Sequence, residues 1–548
     1  MNIKRTLWIA PAVVCAAALV CGAAACQVDA GAAPSVDPSP YRIAFSGPTA
    51  TVKVSPPATQ PAAPYDVYLV KANKSAQEVS AAYAGSADSY WGASFPQAPA
   101  QAAPAEDGTT TPPASDAPFM DSPQALAWKP SEALWKAQRA RDALNDAARS
   151  VGAAAASVEG DGKTFWVNDN YGGGAVWREL PATLRAQGAH CNVWVADVDY
   201  DNASAAGNDD GTINSAQAAA LGGKFDILYP IETNLFGYEF GGDPARPGEL
   251  GGRDGDARVQ ILVYKNAMTG LGGYFWMKDW YAQSNLSSTV RTNYAEIFYL
   301  NSTHLDKPVP SFMYSTLAHE FQHMINFNMK GIRQGLLSVP TWYDEMLSML
   351  AEDVLDPFIG IEARDGGHPI QERMPAFLAT YNDYDLEYWM PSNAAMYPKN
   401  YAFGAYLVRN FGGPALLQKM LANNSVGVAS ISAALGDITP NMSFQNALDR
   451  YGEALVYSGA SDAVSFNRSV AQTVGGQPYA FAGFDIWTMA RNPGPGTGPR
   501  AYSASDSMKG YAVQLQLIRQ NVSGDSSVTL NKPDSASIDL YIMTRARP

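Results

Sequence analysis

Two kinds of periodicity divide this chain. Residues 41–90 alternate apolar and polar positions in "YRIAFSG", "TATVKVS" and "YDVYLVKA", with β-branched and aromatic side chains at the apolar ones. A period of two predicts short strands with one buried face. Residues 131–149, "SEALWKAQRARDALNDAAR", change to spacings of three and four. Ala133, Ala137, Ala140, Leu144 and Ala148 share one face, which predicts a helix. Between these segments, residues 93–125 are rich in Pro, Ala and Thr and have no period, the mark of a linker. From 163 onward, "KTFWVND", "HCNVWVADVD", "ARVQILVYK" and "AEIFYLN" predict strands, with the helical "INSAQAAALGGKFD" among them. Helical stretches follow beyond 415, and the chain ends on Gly/Pro-punctuated β-like sequence, "KGYAVQLQLIR" and "ASIDLYIMTR".

This pattern predicts an α+β fold: a mixed sheet with helices, flanked by β-rich N- and C-terminal segments. The expected organisation is a signal peptide at 1–25, a tether at 26–40 and a small β unit at 41–92. The linker at 93–125 comes next, then a main domain at 160–425 and a helical, then β-rich, region at 426–548. No internal repeat is visible.

The helical pattern is most informative at 312–330, "FMYSTLAHEFQHMINFNMK", which has no Gly or Pro. His319-Glu320-Phe321-Gln322-His323 fits H-E-x-x-H and uses two of only five histidines in 548 residues. The other three, His190, His304 and His368, are scattered. Positions i and i+4 lie on one helix face. Two imidazoles there can share a tetrahedral metal at about 2.0–2.1 Å, with Glu320 placed to take a proton from water. A catalytic zinc takes three protein ligands and keeps one position open. A second helix is predicted at 341–355, "TWYDEMLSMLAEDVL", with Thr341 and Asp344 resembling a capping box. Glu345 on its apolar face is costly to bury without a metal or partner, so it is the expected third ligand. Glu352, two turns on, is the alternative.

These blocks resemble the gluzincins, and among them the hyicolysin-type neutral metallopeptidases, which carry similar "AHEFQHMINF" and "SMLAED" stretches. "FDILYPIETNLFG" and "AEIFYLNS" are similar as well, so the resemblance covers 160–420. It implies a zincin-type core with zinc held between two lobes by His319, His323 and Glu345, and with Glu320 as general base. The sequence departs from the gluzincins in having "DEM" where many of them have "NEG" or "NEA". An oxyanion donor is expected downstream, where Tyr397, Tyr401 and Tyr406 lie. Tyr401 is the choice and His368 the alternative. Residues 295–301 are the expected edge strand for an extended substrate.

Composition narrows the partners. A net charge of −14 and a pI near 4.9 argue against nucleic acid and against docking on anionic lipid. Lys4 and Arg5 followed by "LWIAPAVVCAAALVCGAAA" read as an export signal. "GAAAC" resembles a relaxed lipobox that would leave Cys26 lipidated, with Ala in place of the usual Leu; simple secretion and an uncleaved anchor are the alternatives. The expected location is therefore the bacterial cell envelope, as a lipoprotein, or the exterior. Cys191 sits in an apolar strand-like run and reads as a buried thiol. Asp197, Asp199 and Asp201 match the first half of a calcium loop, but Asn202 and Asn208 break it, so calcium is a weak expectation. The expected activity is peptide-bond hydrolysis on protein or peptide substrates. An inactive surface-binding protein on the same fold and a zinc aminopeptidase are the alternatives.

Overall fold

The computed structural model describes residues 39–58, 60–79, 125, 128–146, 157–168, 176–203, 211–268, 270–305, 309–360, 369–390, 396–457, 464–502 and 507–547. The predicted signal peptide, most of the tether and most of the linker lie outside these residues, as does His368.

The N-terminal alternation becomes β1 (Thr49–Val54) and β2 (Tyr65–Asn73), and the predicted helix becomes α1 (Glu132–Asp146). The main sheet follows with β3 (Gly162–Asn168), β4 (Trp177–Gln187) and β5 (Cys191–Ala196). Helix α2 (Ser215–Phe236) crosses over to β6 (Val259–Tyr264), and β7 (Gly273–Phe275) and β8 (Ile297–Asn301) complete six strands. Asn214 caps α2 reciprocally with Gln217, each side chain accepting the other's backbone N–H at 2.9 Å.

Strand order is β3-β4-β5-β6-β8-β7. β5, β6 and β8 run parallel in the middle, and β7 pairs antiparallel with β8 at one edge. Every residue of β5, β6 and β8 is buried. Their continuous apolar runs are those of strands covered on both faces. The expected edge strand is thereby corrected. β8 has β6 on one side and β7 on the other, so the edge strand is the short β7.

The motif helix is α3 (Ser311–Asn326), which widens into a π-helical turn at Phe327–Ile332 before α4 (Thr341–Ile359). Phe321 fastens α3 to α2 between Phe225 and Tyr229, with ring centroids 4.9 and 5.3 Å away. α4 lies along α3 and ends at Gly360, whose φ of 68° is the left-handed conformation glycine tolerates best. Helices α5 (Pro369–Thr380), α6 (Met396–Asn410), α7 (Gly413–Ala422), α8 (Gly427–Ile438) and α9 (Phe444–Tyr457) follow and pack into the same core as α3 and α4.

The chain closes with the hairpin β9 (Val470–Val474) and β10 (Gln477–Phe481), then β11 (Val513–Val522), β12 (Ser526–Asn531) and β13 (Ile538–Ala546). β2 is the central strand between β11 and β13, and β1 pairs with β12. The two ends, read apart in the sequence, share one antiparallel sheet. α9 seats on it at Gly452, where a Cβ would stand 2.5 Å from Val70. Among the described residues no helix is long and apolar enough to cross a membrane.

Candidate metal centre

His319 and His323 lie one turn apart on the face of α3 that meets α4, and Glu345 approaches from the first turns of α4. All three are buried, and one donor atom from each lies within 4.8 Å of the others. Glu345 Oε2 is 3.2 Å from His319 Nε2 and 3.8 Å from His323 Nε2. Bonds of about 2.0–2.1 Å in a tetrahedron place neighbouring donors about 3.3–3.4 Å apart. The observed spacing and the two-imidazole, one-carboxylate set therefore fit zinc.

The remaining ring nitrogens are held by carboxylates. His319 Nδ1 is 2.6 Å from Glu352 Oε1. Glu352 also accepts hydrogen bonds from Ser315 Oγ at 2.8 Å and from both terminal nitrogens of Arg373 at 2.9–3.0 Å. His323 Nδ1 lies 3.2 Å from Asp344 Oδ2 and 3.1 Å from Ser348 Oγ. Partners of this kind fix ring orientation, hold the proton at Nδ1 and leave Nε2 for a metal.

Electrostatics follow the same layout. Burial opposes ionisation of Glu352, but Arg373 and then His319 and Ser315 outweigh it and hold the carboxyl below its usual range. Burial likewise opposes ionisation of Asp344, and His323, Lys129 and Asn326 together hold it low. Glu320 lies beside β7. A Cβ at Gly273 would come within 3.1 Å of Glu320 Cγ, 2.9 Å of Thr316 Cγ2 and 2.7 Å of the Tyr299 carbonyl oxygen, so only glycine lets the edge strand pass this close.

Several sequence expectations change here. Asp344 is not a cap: Pro340 occupies the N-cap position with no side-chain cap bond, and the Asp344 carboxylate turns to His323. Glu352, the alternative ligand, instead orients His319. Tyr401, expected to face the reacting carbonyl, is fully buried and donates its hydroxyl to Asp353 Oδ2 at 2.9 Å. Arg409 grips the same carboxylate through two bonds at 2.9 and 3.1 Å. Burial, and then Asp353, push the Tyr401 hydroxyl well above its ordinary pKa, so Tyr401 braces α6 against α4. Tyr406 is committed to the Ala447 carbonyl at 2.7 Å, and Tyr397 packs on Trp389.

The calcium expectation finds no support among the described residues, and residues 204–210 of that stretch lie outside them. Asp197 accepts from Thr183, Asp199 from the Lys265 N–H and Asp201 from the Ala203 N–H. Among the described residues, the cluster able to hold a metal is the His-His-Glu set. Cys191 is buried and its thiol is pushed up by burial, as expected for an inert core residue.

Sequence reasoning missed Arg373 and Ser348. Ser348 stands at i+3 from Glu345 on the same helix face, a spacing that could have flagged it. Arg373 is on another helix, and no local pattern connects it to Glu352.

A mixed sheet with an antiparallel edge strand, under two helices that converge two imidazoles and a carboxylate, is a zincin-type metallopeptidase core. The chain belongs to the peptidase M30 family, whose family model matches residues 178–540. It is also 26% identical over 306 residues to the neutral metalloprotease ShpI of Staphylococcus hyicus. That alignment covers 52% of this chain and 61% of the relative, so the chain spans about three fifths of that protein's length.

Proposed function

We propose that this chain is an exported zinc endopeptidase. The observation that carries the reading is the convergence of His319 Nε2, His323 Nε2 and Glu345 Oε2 at the spacing of zinc donors, with both Nδ1 atoms occupied by side chains that orient the rings. A bound zinc supplies Lewis-acid polarisation of the scissile carbonyl and acidifies water.

The protein's own residues do the rest. Glu320 takes a proton from the attacking water on its carboxylate and returns it to the leaving amine nitrogen. The β7 edge offers backbone N–H and C=O groups to an extended substrate, which adds as a further antiparallel strand beside Glu320. Burial of the cluster keeps the dielectric low, which strengthens each of these electrostatic contacts.

Export rests on the charged and apolar pattern of residues 1–25, and attachment to the envelope on lipidation of Cys26. Protein or peptide chains are the substrates in this reading.

The test is the Glu320→Gln variant. It is expected to bind zinc as the parent does and to lose about 10²–10⁴-fold in kcat on an internally quenched peptide. Proteolysis at the parent rate would remove Glu320 from the mechanism, and an inactive parent carrying zinc would favour the binding-only alternative.

A further inference from the structure

Helix α1 lies before residue 178, where the family match begins, yet it is built into the surroundings of the candidate centre. Gln138 is fully buried, and its Oε1 accepts from the Ala282 N–H and the Asn285 amide at 2.9 Å each. Asp142 receives two bonds from Arg253 at 2.6 and 3.1 Å. Trp135 stacks on Trp280 with centroids 5.4 Å apart. These contacts fix one side of α1 to the main domain.

The adjoining side, which shares Trp135, is a wall. Glu132, Trp135, Lys136 and Arg139, spaced by three and four, face Leu336 and Leu337 across an open groove of about 700 Å³. The same two leucines line a narrower cavity whose other walls include His323, Asp344, Phe275 and Lys129. The open groove and the inner cavity, of about 30 Å³, thus share Leu336 and Leu337 as a common wall.

We propose that this groove holds the part of the substrate chain next to the scissile bond, and that α1 selects polypeptides with acidic residues there. The inference rests on the peptidase reading above and names its substrate class. Glu132 and Lys136 pair at 2.7 Å and offset each other. Arg139 is exposed and, among the described residues, makes no ion pair. It lies over the Trp135 ring, 5.7 Å from the centroid. Lys129, at the inner cavity, already faces Asp344 and Glu345, so Arg139 is the cation this wall offers. An exposed arginine on an aromatic platform above a leucine floor suits an extended chain that mixes carboxylate and apolar side chains.

The experiment uses the full-length Glu320→Gln protein and two fluorescent peptides with one common core, flanked either by Glu or by Lys. Fluorescence anisotropy measures binding without turnover. The Glu-flanked peptide is expected to bind about 5- to 10-fold more tightly in low salt. The exposed charge reversal Arg139→Glu should invert that order, with the melting temperature reporting an intact fold. Equal binding of the two peptides, or an order unchanged by Arg139→Glu, overturns the proposal. Tighter binding of both peptides in the variant also overturns it, because α1 would then be a cover over the site. Cleavage by the parent protein, assayed separately, tests the peptidase reading, so the two failures remain distinct.

Discussion

Glu345 and Glu352 stand two turns apart on one face of α4, and both are fully buried. Around Glu352 the protein supplies its own compensation: a two-nitrogen grip from Arg373, a hydroxyl from Ser315 and the Nδ1 of His319. Around Glu345 the near neighbours are the Nε2 atoms of two imidazoles, which are neutral whenever they act as ligands. Burying a carboxylate costs several kcal/mol unless a cation answers it. At Glu352 that cation is Arg373; at Glu345 the zinc proposed above would take that part, with Lys129 adding its field. The same residue type at the same depth orients a ring in one turn and, in the proposed site, ligates in the other.

The comparison breaks most visibly at Glu345. Glu345→Ala is expected to lose both bound zinc and peptide cleavage, measured by metal analysis and a quenched-peptide assay. A variant that keeps its zinc would make Glu345 a bystander. Arg373→Ala should act on the other side of the comparison. It leaves Glu352 as a buried charge without its main cation and should lower stability by about 3–5 kcal/mol in denaturant unfolding. Glu352→Gln is milder: the fold should persist while zinc affinity falls about 10–100-fold, read by competition with a chelator. If Glu352→Gln removes zinc as completely as Glu345→Ala, the division between ligand and orienting group is wrong.

Gly273→Ala probes the strand beside Glu320. The added methyl meets the Tyr299 carbonyl oxygen and Thr316, which should cost about 1–3 kcal/mol and lower kcat/KM together with stability. A third buried glutamate sharpens the contrast in the opposite direction. Glu296 has its pKa pushed up to about 8, by burial first and by Asp254 second. Its folded pKa exceeds the ordinary 4.5, so the folded state holds the proton more tightly. The stability it contributes is full below pH 4.5 and is lost as pH rises through 8. Glu296→Gln should flatten the fall in melting temperature over that window by a few degrees.

Much of this site was legible because its signals are local. H-E-x-x-H places two donors on one helix turn, and the apolar background of 341–355 makes Glu345 conspicuous. The double role of acids on α4 was not legible. Glu352 and Glu345 share a face, and only Arg373, on α5, decides which is compensated. Tyr401 misled for the same reason: its commitment to Asp353 and Arg409 is set by how α4 and α6 meet. Strands buried on both faces announced themselves as apolar runs, but strand order did not. The three-residue β7 carries too little pattern to be seen, so the edge was assigned to β8. The pairing of β2 with β11 and β13 joins positions more than four hundred residues apart, which no periodicity encodes.

The most direct measurement is the zinc content of the purified protein by elemental mass spectrometry, beside Glu345→Ala prepared in the same way. The account expects about one zinc per parent chain and almost none in the variant. A parent that holds no zinc after incubation with the metal and dialysis, or a variant that holds as much as the parent, would contradict it.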